Sequence, residues 1–161
     1  MKFATNNKKI NEIKSDCLMV SVFDDGKLRG ATKLLNTSNG KLIEDFIKNK
    51  DIQGKIGQTR IIPVTGKSYK RIVLVGCGTF ENFSQKNYRK AVISALKKIS
   101  LSNHKKVVSL IHDGAENINS PKKAYRMARV LAESWHAISY QYTTTKESNH
   151  KKLNLRRIEI G

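Results

Sequence analysis

Three groups of residues in this 161-residue chain have the types that chemistry needs. The first is Gly76-Cys77-Gly78, which follows the apolar run Ile72-Val-Leu-Val75 and precedes a helical pattern. In that setting backbone amides and a helix N-terminus can hold a phosphate. A dinucleotide fingerprint needs a third glycine three residues after the second, and that position is Glu81, whose charge would repel a phosphate. The expectation is a structural turn, with a ligand site as the alternative. The second group is His112-Asp113 at the end of another apolar run, where strand ends line ligand crevices and an acid/base pair could form. No serine or cysteine nucleophile lies in a recognisable elbow, so the pair reads as a strand exit with Asp113-Gly114 as its turn. The third group is basic: Lys151, Lys152, Arg156 and Arg157 form a candidate nucleic-acid surface.

Metal chemistry has little to build on. His104, His112, His136 and His150 never fall three or four residues apart, the spacing that puts two imidazoles on one helix face. A two-metal hydrolase needs several carboxylates converging on its ions, and the 13 acids here are spread singly. Asp24-Asp25 and Glu44-Asp45 are adjacent pairs, which point apart on a strand and about 100° apart on a helix. Metal ligands and catalytic residues are therefore not expected in this chain.

The elements that must position these residues alternate. Leu18-Met-Val-Ser-Val-Phe23, Arg60-Ile-Ile-Pro-Val64, Ile72-Val-Leu-Val75 and Val107-Val-Ser-Leu-Ile111 are short, branched and apolar, as strands covered on both faces are. Pro63 has no backbone donor, which puts its strand at a sheet edge or the proline at a bulge. Phe3 and Thr5 suggest a short initial strand. Tyr88, Ala91, Val92, Ala95, Leu96 and Ile99 share one helix face behind Ser84 as cap. Ala124, Ala128, Leu131, Trp135, Ile138 and Tyr142 form a second stripe, with Pro121 after Ser120 at its start. Shorter amphipathic segments carry Leu28, Ala31, Leu34 and Leu35, then Leu42, Ile43, Phe46 and Ile47, with a break at Asn36 to Gly40. At the end of the chain Leu153 and Leu155 have one parity and Ile158 and Ile160 the other, which predicts a bulge near Arg156-Arg157 or two short segments. Strands alternating with helices predict an α/β three-layer sandwich, its sheet mixed but largely parallel, with helices on both faces.

Composition bounds the rest. The length and a 39% hydrophobic content suit one domain. No apolar run approaches the roughly 18 residues needed to cross a bilayer. Met1 to Ile10 lacks the apolar core of a secretory signal, so a cytosolic chain without a membrane partner is expected. Cys17 and Cys77 sit in apolar runs and read as buried, reduced thiols. Lysine and arginine number 31, giving a net charge of +18. The charges are dispersed over every element, which describes a lysine-rich solvated surface, with non-specific DNA as the alternative partner. Trp135, Tyr88 and Tyr142 lie on apolar stripes rather than among the lysines, so base stacking is not expected.

Several of these runs, taken in order, resemble the amino-terminal domain of the leucyl (cytosol) aminopeptidases. They are Val20-Ser-Val-Phe23, Gly54-Lys-Ile-Gly-Gln-Thr59, Arg71-Ile-Val-Leu-Val-Gly-Cys-Gly78 and Tyr140-Gln-Tyr-Thr-Thr-Thr-Lys146 before the last strand. The resemblance implies a macro-domain-like fold and an accessory role beside a larger carboxy-terminal domain in a cytoplasmic homohexamer. It implies a parent that removes amino-terminal residues, leucine among them, from peptides, using two divalent metals (zinc, manganese or magnesium) held in that other domain. The family's ligand run Asn-Thr-Asp-Ala-Glu-Gly-Arg does not occur between Met1 and Gly161, so the chain is expected to be a single non-catalytic domain spanning 1–161, with the catalytic domain absent from it. Some bacterial members bind DNA through basic surfaces that include this domain, and macro folds elsewhere bind ADP-ribose or nucleotides, a likeness of fold alone.

Overall fold

The computed structural model describes residues 1–114, 122–144 and 153–161. Among them the strands are β1 (Lys2–Thr5), β2 (Ser15–Val22), β3 (Thr59–Pro63), β4 (Tyr69–Gly76), β5 (Lys106–Ser109) and β6 (Arg157–Ile160). The helices are α1 (Gly30–Ser38), α2 (Leu42–Lys48), α3 (Gln85–Ser100) and α4 (Lys123–Thr144). The sheet order is β1-β6-β5-β2-β4-β3, parallel throughout except for the antiparallel pair β3 and β4. This is the expected sandwich, and Pro63 closes the strand at one edge, where a missing donor costs no ladder bond.

Because side chains alternate across a strand, β2 and β4 feed two separate cores. Cys17, Met19, Val73 and Val75 pack with α3 and α4, while Leu18, Val20, Ile72 and Leu74 pack with α1 and α2. Both cysteines are fully buried free thiols, and burial pushes each up to about 12.

The α3 stripe is buried along its whole length, and Ser84 Oγ accepts from the Asn87 amide at 3.3 Å as its cap. On α4 the buried stripe is Met127, Val130, Leu131, Ser134, Trp135 and Ile138. Ala124 is exposed, contrary to expectation: its one methyl offers too little apolar area to hold the first turn down. The Tyr142 side chain and the proposed Ser120-Pro121 start lie outside the described residues. On α1 the expected stripe is also corrected. Ala31, Thr32, Leu35 and Asn36 are buried and Leu34 is 58% exposed, since Leu34 stands roughly 130° round the helix from that face. The two polar members are paired: Thr32 Oγ1 donates to Ser21 O at 2.7 Å, and Asn36 Oδ1 accepts from the Glu44 amide at 2.9 Å, joining α1 to α2.

The parity change before β6 is a one-residue slip. The amides of Arg156 and Arg157 both donate to Lys105 O, at 2.9 and 3.0 Å, so two residues oppose one. Leu155 and Ile158 thereby reach the same core.

Candidate functional site

The carboxyl ends of β2 and β4 are where an open parallel sheet would receive a ligand. Here the amides of Gly76, Cys77 and Gly78 are already spent. They donate to Gln58 O at 2.7 Å, Val22 O at 2.9 Å and Gly54 O at 2.7 Å. The segment 54–58 thus lies where a phosphate would have to sit, and the turn is structural, as expected. Both glycines of the contact are required by space. A Cβ on Gly76 would stand 1.9 Å from Lys55 O, and one on Gly54 would stand 2.3 Å from the Phe23 carbonyl carbon. Above the turn, the Arg29 guanidinium lies 3.9 Å over the Phe80 ring and 5.3 Å from that of Phe23. It also grips both oxygens of Asp25, at 3.0 and 2.6 Å, and these bonds hold the Asp25 carboxyl below the usual carboxylate range. Cys77, with its thiol pushed to about 12 by burial, is no nucleophile.

His112 and Asp113 fall in a 3-10 turn, Ile111–Gly114, directly after β5. His112 Nδ1, the nitrogen a carboxylate would orient, is buried without a partner, and burial holds the imidazole below its ordinary range. This is the geometry of a strand exit and not of a catalytic dyad. His104 is also buried, His136 is exposed beside Phe3 with ring centroids 6.2 Å apart, and His150 lies outside the described residues. Among the described residues no three His, Cys, Asp or Glu side chains converge to hold a metal.

Of the basic group, Lys151 and Lys152 lie outside the described residues. Arg156 and Arg157 are exposed, but Arg157 is committed to a partner that composition did not reveal. Glu159, only 3% exposed, receives Arg157 Nε at 2.6 Å, Lys106 Nζ at 3.0 Å and Asn6 Nδ2 at 2.6 Å. This cluster ties β5 and β6 to the chain leaving β1. Its signal was in the alternation Arg157-Ile-Glu-Ile160, which sends Glu159 to the face opposite the isoleucines. Burial works against the charge of Glu159, but the bonds from Asn6, Lys106 and Arg157 outweigh it and hold the carboxyl below the usual range. Asp16 is held low in the same way, against burial, by the amides of Lys105 and Lys106 and by the Lys70 ammonium.

The pH dependence of stability follows with its sign. His104 and His112 bind protons less readily folded than unfolded, so stability begins to fall as pH drops below about 6.5. Glu159 and Asp16, lowered in the fold, stabilise it fully above about pH 4.3, and that contribution is lost as pH falls through their folded values. Glu159→Gln is expected to cost about 2 kcal/mol at pH 7, the scale of a lost charge-assisted hydrogen bond, and to flatten the second, acidic fall. Melting temperatures from pH 7 to pH 3 check this, and an unchanged acid limb in the variant would take Glu159 out of the cluster's energetics.

Comparison with known proteins adds a consistent set of likenesses. Residues 19–149 match the sequence profile described as the cytosol aminopeptidase family, N-terminal domain. The chain is 31% identical over 165 residues to the probable cytosol aminopeptidase of Buchnera aphidicola subsp. Acyrthosiphon pisum (strain Tuc7), covering 100% of this chain and 32% of that protein. The chain spans 24% to 32% of the length of the first curated relatives it matches. In fold it is similar to a mutant of tomato leucine aminopeptidase, with a TM-score of 0.80 at 18% identity, covering 99% of this chain and 32% of that one. The macrodomain of Mycobacterium tuberculosis DarG superposes with a TM-score of 0.71 at 10% identity, covering 99% and 97%. Among the described residues no helix is long and apolar enough to cross a membrane.

Proposed function

Because the chain belongs to the cytosol aminopeptidase family through that family's N-terminal domain, we propose that it is a single, non-catalytic accessory domain, residues 1–161, that serves an aminopeptidase catalytic domain. The carrying observation is the profile match over residues 19–149, made to a domain that accounts for at most 32% of the relatives' length. The local chemistry supports the same reading: the turn amides are spent, both thiols are buried, and His112 lacks an orienting carboxylate. In this reading the chemistry resides in the catalytic domain. There two divalent ions, zinc, manganese or magnesium, would polarise the peptide carbonyl and activate water for removal of an amino-terminal residue. The whole would assemble as a cytoplasmic homohexamer.

The basic DNA-binding and ADP-ribose readings have less support. Arg157 is engaged by Glu159, and the macrodomain likeness is one of fold, while the amides that would take a diphosphate already donate to the carbonyls of Gln58, Val22 and Gly54.

The purified chain is expected to release no product from leucine amide or a leucine anilide above the blank, with or without manganese or zinc. Metal-dependent turnover that a chelator abolishes would overturn the accessory reading.

A further inference from the structure

Beside β6 the surface opens into a groove of ≈ 660 Å³ between the segment Lys8–Asn11 and α1. Its apolar lining comes from Ile10, Ala31, Leu34 and Leu110. Leu34 is the exposed leucine on the outward side of α1, and nothing in the interior of this domain accounts for it: the buried face of α1 is already complete without it. The rim is basic. Lys8 and Lys9 line it and are exposed, with Asp113 as the acid among the lining residues.

Gly161 is among the residues that line the groove. The Gly161 amide donates to Ser109 O at 3.1 Å, which continues the β5–β6 pairing, and a Cβ on it would stand 2.8 Å from Leu110 Cδ2. A polypeptide leaving β6 is therefore delivered at the groove mouth with no spacer. In the curated relatives the matched region makes up 17% to 32% of the protein, and the match is to the N-terminal domain, so further polypeptide follows it there.

We propose that this groove seats an apolar, acid-flanked segment belonging to the catalytic domain, the stretch that in the longer relatives follows the position of Gly161. The apolar floor takes its side chains, and Lys8 and Lys9, on a chain of net charge +18, take its carboxylates. Where the two are one chain, as in the longer relatives, the encounter is intramolecular, so a short contact suffices to hold it. The inference rests on the accessory-domain reading and adds the place of contact.

The test compares the 161-residue chain with the same chain extended past Gly161 by the twenty or so residues that follow the matched region in the Buchnera aphidicola relative. In ¹H–¹⁵N spectra the extension is expected to shift the amides of Ile10, Leu34, Leu110 and Gly161 and to slow their exchange with solvent at least several-fold. Leu34→Asp in the extended chain should return those signals to their unextended positions, while leaving the melting temperature of the unextended chain unchanged, because Leu34 carries no interior packing. Unmoved groove signals, or shifts at the separate apolar cavity between Phe3 and Ala128, would overturn the proposal. Groove shifts that grow with concentration in the unextended chain would assign the groove to a second copy and overturn it too. Chelator-sensitive turnover of leucine amide by the unextended chain defeats the accessory reading; unmoved groove signals without such turnover defeat the docking proposal alone.

Discussion

Trp135→Ala is expected to lower the unfolding free energy by about 3–5 kcal/mol. Trp135 is 4% exposed and belongs to the core that joins α3 and α4 to one face of the sheet. Its neighbours on the helix, Leu131, Ser134 and Ile138, are equally buried, and the Ser134 hydroxyl is satisfied by Val130 O at 2.6 Å, so no local slack can fill the space the indole leaves. Relaxation is limited further because the opposite wall is the α3 stripe, itself without exposure from Tyr88 to Ile99. At a typical urea slope of about 2 kcal/mol/M the midpoint should fall by about 1.5–2.5 M with the slope unchanged. A midpoint that does not move would place the indole at the surface.

Gly76→Ala is expected to cost at least about 3 kcal/mol, or to prevent accumulation of folded protein, although it adds a single methyl group. The new Cβ would meet the carbonyl oxygen of Lys55 at 1.9 Å, a backbone atom that cannot rotate away. Nor can the 54–58 segment and the end of β4 separate cheaply. Gly76 donates to Gln58 O and accepts from the Gly57 amide, so moving the 54–58 segment breaks both bonds and exposes the end of β2 behind it. Gly40→Ala provides the contrast: nothing stands within 4 Å of its Cβ, although its φ of +63° adds backbone strain. Chemical denaturation of both variants separates collision from backbone preference, and equal losses would refute the collision.

The α3 stripe could be read residue by residue because six apolar positions at regular spacing leave one solution for the buried face. The same reasoning misplaced Leu34, where the periodic signal was short and two of the true face residues, Thr32 and Asn36, are polar. Their burial depends on Ser21 O and the Glu44 amide, acceptors and donors supplied by other elements that no local pattern announces. The parity break at Arg156-Arg157 was legible, and the shared Lys105 carbonyl explains it. Strand order was not, since which strands become neighbours is decided by packing between distant segments. At the turn after β4 the missing third glycine argued against a phosphate site, but the occupation of its amides by carbonyls of Val22, Gly54 and Gln58, far earlier in the chain, could be seen only in three dimensions.

The pairing of β1 with β6 has a consequence for biosynthesis. Among the described residues β1 pairs with β6 alone, in the register Lys2↔Arg157 to Thr5↔Ile160, so the first of the described strands to leave a ribosome finds its partner only when the last of them has emerged. At about 5–20 residues per second that interval is ~8–30 s, long compared with the formation of helices and local turns. During it Lys2 and the exposed Phe3 must stay soluble as an unpaired ribbon, and the lysine at its head is the kind of charge that keeps such a ribbon from joining a stranger. Because the pair is parallel, Met1 and Gly161 lie at opposite ends of the two strands, so a rearranged chain that translates β6 and β1 in succession has to join them through a crossover of about a dozen residues.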